Sequence, residues 1–265
     1  MSKLAVITGA SSGIGAEFAR QLAASHQRLW LIGRRQTELN RVADSLRHHK
    51  NLQISVKIMD LSDPVVINEL AQSLETEPEL ETLINNAGYA EDGSFHEVDW
   101  LKHEALLNVH IQATLQLSHC ALKIMHPKES GTIINVSSVA SFIPTPGSSL
   151  YGATKGLIRS FSEALAIENK QNEINIQALC PGFTITDFHE KLGLDPDKFY
   201  KKQGMIRSWT SEYVVTQSLE DLSKGKVVSV PGWNYKLIVM LLRRLPISFL
   251  IWMLGRGNKT HRYSE

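Results

Sequence analysis

One rhythm constrains this chain more than any other feature. Through the first two-thirds of its 265 residues, a short β-rich apolar run is followed by a stretch with helical spacing, again and again. The runs at 4–8, 28–33, 52–59, 82–85, 132–136 and 174–179 are predicted strands, and 226–230 is a seventh. They are short and mostly apolar, as expected where helices cover both faces of a sheet. Between them, Ile14, Phe18 and Leu22 recur at four-residue steps, and Leu39, Val42 and Leu46 at steps of three and four. Such spacing gives a helix one apolar face. Alternating strand and helix implies right-handed crossovers, so the predicted fold is α/β, a doubly wound parallel sheet of about seven strands. No Pro/Gly/Ser-rich linker breaks the pattern, and one domain is expected.

Composition excludes little else. Hydrophobic residues make up 43% and charged residues 21%, which fits a globular chain and argues against disorder. A formal charge of +1 gives no support to nucleic-acid binding. The total hides an asymmetry: from Lys236 onward there are six basic residues and one acidic, leaving 22 basic and 26 acidic before it. Cys120 and Cys180 lie in apolar stretches and read as buried free thiols. The chain opens Met-Ser-Lys and enters a strand at once, with no signal-peptide pattern, so a cytoplasmic location is expected.

The segment Thr8-Gly9-Ala10-Ser11-Ser12-Gly13-Ile14-Gly15 joins the first strand to the first helix. Glycine permits a tight turn with positive φ and lets backbone approach a ligand closely. The unpaired N–H groups at the helix start then suit a pyrophosphate, and Ser11 and Ser12 can add hydroxyl donors. Further on come Asp60; Asn85-Asn86-Ala87-Gly88; Asn108; Ser138; Tyr151-Gly-Ala-Thr-Lys155; and Pro181-Gly182. Taken in this order, the set resembles the short-chain dehydrogenase/reductase family over residues 1 to about 187, plus the strand end at 226–232. The resemblance implies a Rossmann-like fold, with residues 1–235 as a single dinucleotide-binding catalytic domain and 236–265 as an extension packed on it or on a partner. A homodimer or homotetramer and no metal are expected.

The end of the second strand meets the adenosine ribose in dinucleotide folds, where an acidic residue binds the 2′-OH of NAD. This chain has Gly33-Arg34-Arg35 instead. Two guanidiniums suit a 2′-phosphate, so NADP(H) is the expected cofactor. In the family the Asp60 position accepts from the adenine amino group; a helix N-cap is the plain alternative, which Ser62 or Asp63 could also supply. Leu61 follows it. Asn86, Ala87 and Gly88 would let the cofactor lie close, although Asn side chains also tie neighbouring strands together. Pro181, Gly182, Thr184 and Thr186 belong to the loop that in the family passes beside the nicotinamide, with the Thr186 position contacting its carboxamide or the diphosphate. Thr184, where many relatives have Val or Ile, is expected to alter the pocket wall slightly.

Tyr151 and Lys155 are four apart in a helical stretch, 150–168, and so share a face. An ammonium beside a phenol favours the phenolate and tunes it toward general acid/base work. Gly152 and Ala153 between them are expected to leave room for the cofactor. Ser138 precedes Tyr151 by thirteen residues, the family's usual interval, and a hydroxyl there can share charge on the reacting oxygen. Ser137 is adjacent, and the residues alone do not choose; the family pattern picks Ser138. Asn108 lies in a long helical stretch, 100–125; in the family it perturbs its helix and holds a water that links the lysine to solvent. The implied activity is hydride transfer between NADPH and a carbonyl or secondary alcohol. An oxidative alcohol or hydroxysteroid dehydrogenase and a non-catalytic dinucleotide sensor are the alternatives.

Substrate is expected beyond the strand carboxyl ends. Tyr89, Val139, Ser141, Phe142, Phe183 and residues 189–205 are the candidate wall, mostly apolar, with Lys198, Lys201 and Lys202 as the available cations. A lipophilic ketone or aldehyde follows. In the tail, residues 236–254 include 14 apolar residues out of 19, but Arg243 and Arg244 interrupt them and Pro246 follows. Two short helices are predicted rather than a membrane span. A lid, an oligomer contact and a helix lying in an anionic membrane surface are the readings for it.

Overall fold

A computed structural model of the chain describes residues 2–186 and 204–256. Its centre is a seven-stranded parallel sheet. The strands are β1 (Leu4–Thr8), β2 (Arg28–Gly33), β3 (Gln53–Ile58), β4 (Leu80–Asn85), β5 (Ser130–Val136), β6 (Glu173–Leu179) and, after two short strands β7 (Thr184–Ile185) and β8 (Trp209–Thr210), β9 (Val228–Ser229). Their order in the sheet is β3-β2-β1-β4-β5-β6-β9, and β7 pairs with β8 separately. The chain runs outward from β1 to β3, then returns to place β4 on the other side of β1. That reversal opens a crevice at the strand carboxyl ends.

The helices are α1 (Gly13–Leu22), α2 (Gln36–Ser45), α3 (Pro64–Glu75), α4 (Trp100–Leu107), α5 (Ala113–Met125), α6 (Ser149–Glu168), α7 (Ser211–Ser223), α8 (Trp233–Leu242) and α9 (Ile247–Arg256). Strand periodicity splits the core into two layers. Leu4 and Val6 of β1 point to the layer of α3 and α5, while Ala5 and Ile7 point to that of α1 and α7, where Phe18 and Val215 are buried. Predicted and observed strands agree apart from their ends. The seventh is trimmed most, because β9 is an edge strand that pairs only through Val228 and Ser229.

Two features matter for the site. The helical stretch predicted over 100–125 is interrupted by a turn of π-helix, Asn108–Gln112, between α4 and α5. And the boundary expected at 235 falls inside α8, whose Tyr235 and Val239 are buried with Ala178, Cys180 and Val230 against Val139, Phe142 and Phe183. The start of the tail is therefore core.

Candidate active site

The crevice between β1 and β4 is built by close backbone approach. Gly9 and Gly13 hold φ of +65° and +56°, which L side chains rarely adopt. A Cβ on Gly15 would strike the Gly9 carbonyl, and one on Gly9 would come within 2.8 Å of Asn86 Nδ2. Ser12, the N-cap of α1, makes no side-chain capping bond, so the first-turn N–H groups are left for another acceptor. The Asn86 loop is pinned to this turn. Asn86 Nδ2 donates to the Thr8 and Gly9 carbonyls at 2.9 and 3.2 Å, and the Asn86 and Ala87 N–H groups donate to Thr8 Oγ1. Asn85 ties neighbouring strands instead: its Nδ2 donates to Asn135 Oδ1 on β5 at 2.9 Å and to Ser118.

At the end of β2, Arg35 reaches over the glycine turn. Its guanidinium donates to Ser11 Oγ at 2.8 Å and to Ser12 Oγ at 2.6 Å. Arg34 is more exposed and leans on Asp60 Oδ2 at 3.4 Å. Burial raises the Asp60 pKa, but hydrogen bonds from the Ser62 N–H and hydroxyl, with the nearby Arg34, outweigh it and hold the carboxyl below its usual range. The N-cap of α3 is Asp63, which accepts from the Val65 N–H, so Asp60 remains at the crevice rim. Leu61 is 4% exposed and packs in the core; what it offers a ligand is backbone, not side chain.

On α6, Lys155 is 5% exposed, and its Nζ donates to the Val136 carbonyl at 2.9 Å. Burial lowers its pKa to about 8. The ammonium lies 5.7 Å from the centre of the Tyr151 ring. The structure separates the two serines that follow β5. Ser137 is buried and its hydroxyl donates to the Lys155 carbonyl at 2.7 Å. Ser138 is only half-buried; its hydroxyl oxygen accepts from the Ala140 N–H and caps a 3-10 turn, Val139–Phe142, leaving its proton for another partner. At Gly152 a Cβ would run into Thr145, so the absent side chain there makes room for Thr145, while Ala153 is exposed.

Asn108 opens the π turn, where its carbonyl accepts from the Ala113 N–H. Its Nδ2 donates to the Ser62 carbonyl at 2.8 Å, tying the turn to the loop before α3. The residue missed by sequence reasoning sits two positions on. His110 is fully buried, accepts from the Tyr89 N–H through Nε2 at 3.1 Å, and meets Thr154 Oγ1 through Nδ1 at 2.9 Å. Thr154 gives its own proton to the Tyr151 carbonyl, so Nδ1 carries the hydrogen. Burial, then the Lys155 charge, push the His110 pKa well below its ordinary value, so the ring is neutral. It packs edge-on against Tyr151 and braces the Gly88-Tyr89 loop to α6. One of three histidines in the stretch 100–125, with His103 and His119, it carried no spacing that could have singled it out.

The loop after β6 closes the crevice from the other side. A Cβ on Gly13 would come within 2.8 Å of the Thr186 methyl, so Thr186 stands over the glycine turn. Pro181 is buried, and Gly182 faces the Tyr235 ring, whose hydroxyl oxygen accepts from the Phe183 N–H at 3.1 Å. Thr184 departs from expectation: it is buried and its hydroxyl donates to the Gly182 carbonyl, so it does not form pocket wall. Ser141 also turns inward, its buried Oγ beside the Cys180 thiol, which burial raises to about 11. Val139, Phe142 and Phe183 gather around Tyr235 and Val239 as an apolar wall, with the Arg159 guanidinium 4.5 Å over the Phe142 ring. Tyr89 packs partly against the core beside His110. Of the segment 189–205, all but Gly204 and Met205 lies outside the described residues, as do Lys198, Lys201 and Lys202.

A glycine-lined helix start at a parallel-sheet switch point is the kind of crevice in which dinucleotides bind. A model of the short chain dehydrogenase family matches residues 3–197, and the chain belongs to that family. A very-long-chain 3-oxoacyl-CoA reductase of Danio rerio is 32% identical over 271 aligned residues, covering 99% of this chain and 80% of that one. A 7beta-hydroxysteroid dehydrogenase of Mediterraneibacter gnavus is 27% identical over 225 residues, 85% of this chain and 84% of that one. Among solved structures, a short-chain dehydrogenase from Sphingobium yanoikuyae in complex with NADPH superposes with a TM-score of 0.82 at 26% identity, over 99% of this chain and 98% of that one.

Proposed function

We propose that this protein is an NADPH-dependent oxidoreductase acting on a carbonyl group, or the matching secondary alcohol, of a lipophilic substrate. The observation that carries the reading is the stitching of the β5 end to α6. Lys155 and Ser137 bond across that junction at 2.9 and 2.7 Å, and Ser138 is the next residue along the chain. The glycine cradle, the uncapped start of α1 and the guanidinium of Arg35 fit a phosphorylated dinucleotide. The absence of a carboxylate at the end of β2 favours NADPH over NADH, and the Sphingobium relative holds NADPH.

Bound there, NADPH would supply the hydride. The chain's own residues do the rest. Tyr151 gives a proton to the carbonyl oxygen in reduction and takes it back in oxidation. Ser138 donates its hydroxyl proton to the same oxygen and shares its developing charge. Lys155 lowers the tyrosine pKa through its charge and reaches the ribose hydroxyls. Asn108 holds the π turn open to the loop before α3, and His110 fixes the Gly88-Tyr89 backbone above Lys155. Val139, Phe142 and Phe183 receive the apolar part of the substrate and exclude water. The 3-oxoacyl-CoA reductase relative supports a long-chain ketone. The hydroxysteroid dehydrogenase relative supports the second reading, oxidation of a bulky secondary alcohol at the same site.

A panel of lipophilic ketones, β-ketoacyl compounds and aldehydes, followed at the NADPH absorbance band, tests this. Turnover is expected on at least one class. Tyr151→Phe is expected to lower kcat by about 10²–10⁴-fold with NADPH affinity nearly unchanged. Cofactor binding without turnover on any carbonyl, or on any alcohol with NADP⁺, would instead mark a dinucleotide sensor.

A further inference from the structure

The tail presents a surface that the site does not explain. Residues 247–255 of α9 carry Ile, Phe, Leu, Ile, Trp, Met and Leu, yet only Leu250 is buried and Leu254 half-buried. Ile247, Phe249, Ile251, Trp252 and Met253 are exposed, Ile251 by 59% and Trp252 by 53%. On α8, Trp233, Met240 and Leu241 are exposed as well. A helix this apolar is ordinarily buried, and a patch of this kind marks a contact with something else.

Charge identifies what that is. Lys236, Arg243 and Arg244 are exposed and line a cleft of about 430 Å³ along α8, together with Val230, Val239 and Met240. Asp221 lies in the same cleft but is already held by Lys226 at 2.7 Å and Ser229 at 2.8 Å. Among the described residues, none of the other three cations has a carboxylate within ion-pair distance. The chain has no acidic residue between Asp221 and Glu265. A second copy placed two-fold against this face would therefore bring cation to cation, with only the buried Asp221, already held by Lys226 and Ser229, to offset them.

Only taken together are α8 and α9 long and apolar enough to cross a membrane, and they are not one straight helix. No single helix among the described residues is long and apolar enough, and α8 and α9 meet at a bend of 109°. Each has ten residues, about 15 Å of helix, half the thickness of a hydrocarbon core. We infer that α8 and α9 form a docking surface for an anionic membrane leaflet. The apolar side of α9 sinks among the acyl chains, Trp233 and Trp252 sit at the headgroup level, and Lys236, Arg243 and Arg244 face lipid phosphates. This inference does not depend on the substrate.

Flotation of the full chain with phosphatidylcholine vesicles, with and without one-third phosphatidylglycerol, tests it. Binding is expected only to the anionic vesicles and is lost at high salt. Arg243→Ala with Arg244→Ala is expected to weaken it roughly 30-fold, from about fivefold per basic residue near the surface. Ile251→Ser with Trp252→Ser is expected to abolish it. Both double variants keep NADPH binding and thermal unfolding unchanged, which shows that they fold. No binding to anionic vesicles overturns the inference, and so does equal binding to neutral ones. A dimer dissolved by the Ile251→Ser/Trp252→Ser pair, without vesicle binding, assigns the face to a second copy. Release from vesicles by millimolar inorganic phosphate would assign the cleft to a free anion.

Discussion

Helices α1 and α9 are of equal length and opposite fate. In α1, Ala16, Phe18, Ala19 and Leu22 are buried against the sheet while Arg20 faces out. In α9, seven apolar residues occupy the nine positions 247–255, and Leu250 alone is fully buried. The more hydrophobic helix is the less buried. Apolar content says that a helix needs a partner surface; its periodicity says whether one stripe or the whole circumference needs covering. α1 has one stripe, and the sheet covers it. α9 has apolar residues all round, and the protein covers only a narrow line of it.

Four experiments press on this contrast. The largest effect belongs to the buried helix: Phe18→Ala empties a fully buried site and is expected to cost about 3–5 kcal/mol in urea unfolding. A loss under 1 kcal/mol would mean that Phe18 is not held in a tightly packed layer. Next comes the cofactor crevice. Arg35→Ala is expected to raise the Kd for NADPH about 10- to 100-fold and that for NADH much less, since a charged hydrogen bond is worth roughly 1.5–3 kcal/mol. Arg34→Ala, at a more exposed position, gives a smaller change in the same sense. Equal losses for both cofactors would remove the NADPH preference.

A pH series is a gentler probe of the same crevice. Burial sets the Lys155 pKa to about 8, so its ammonium is present below that pH and lost above it. Affinity for the anionic cofactor is expected to fall as pH rises from about 7 through 8 and beyond, by a few-fold, because roughly one favourable charge contact disappears. Lys155→Met flattens that part of the profile; an unchanged slope in the variant places the titration elsewhere. The smallest effect lies in the tail. Trp252→Ala, exposed in the chain by itself, is expected to change unfolding free energy by no more than about 0.5 kcal/mol in the absence of vesicles. A loss comparable to that of Phe18→Ala would show that α9 is folded into the protein core rather than laid upon it.

Much of the crevice was legible because its physics is local. The glycine turn needs positive φ at Gly9 and Gly13, which a sequence announces by residue type. Tyr151 and Lys155 share a face because four residues make about one helical turn. The two Asn residues at the end of β4 were readable as ties, and they are: Asn85 joins β4 to β5, and Asn86 joins its loop to the glycine turn. What was not legible depends on packing between distant segments. Gly152 exists for Thr145, Thr184 folds back on Gly182, and His110 bridges Tyr89 to Thr154, forty-four residues along. None of these pairings has a period or a spacing that a single sequence can display.

By itself, then, the order of residues determined the alternation of strand and helix, the position of the cofactor turn and the face carrying the Tyr/Lys pair, because each rests on backbone geometry within a few residues. Only the tertiary structure decided which serine is reachable, since Ser137 and Ser138 differ in burial and not in type. It alone made His110 a neutral brace, because desolvation is a property of everything packed around the ring. It also decided that the tail begins in the core at Tyr235 and ends on the surface at α9, a division set by how much apolar area the sheet and its helices had left to cover.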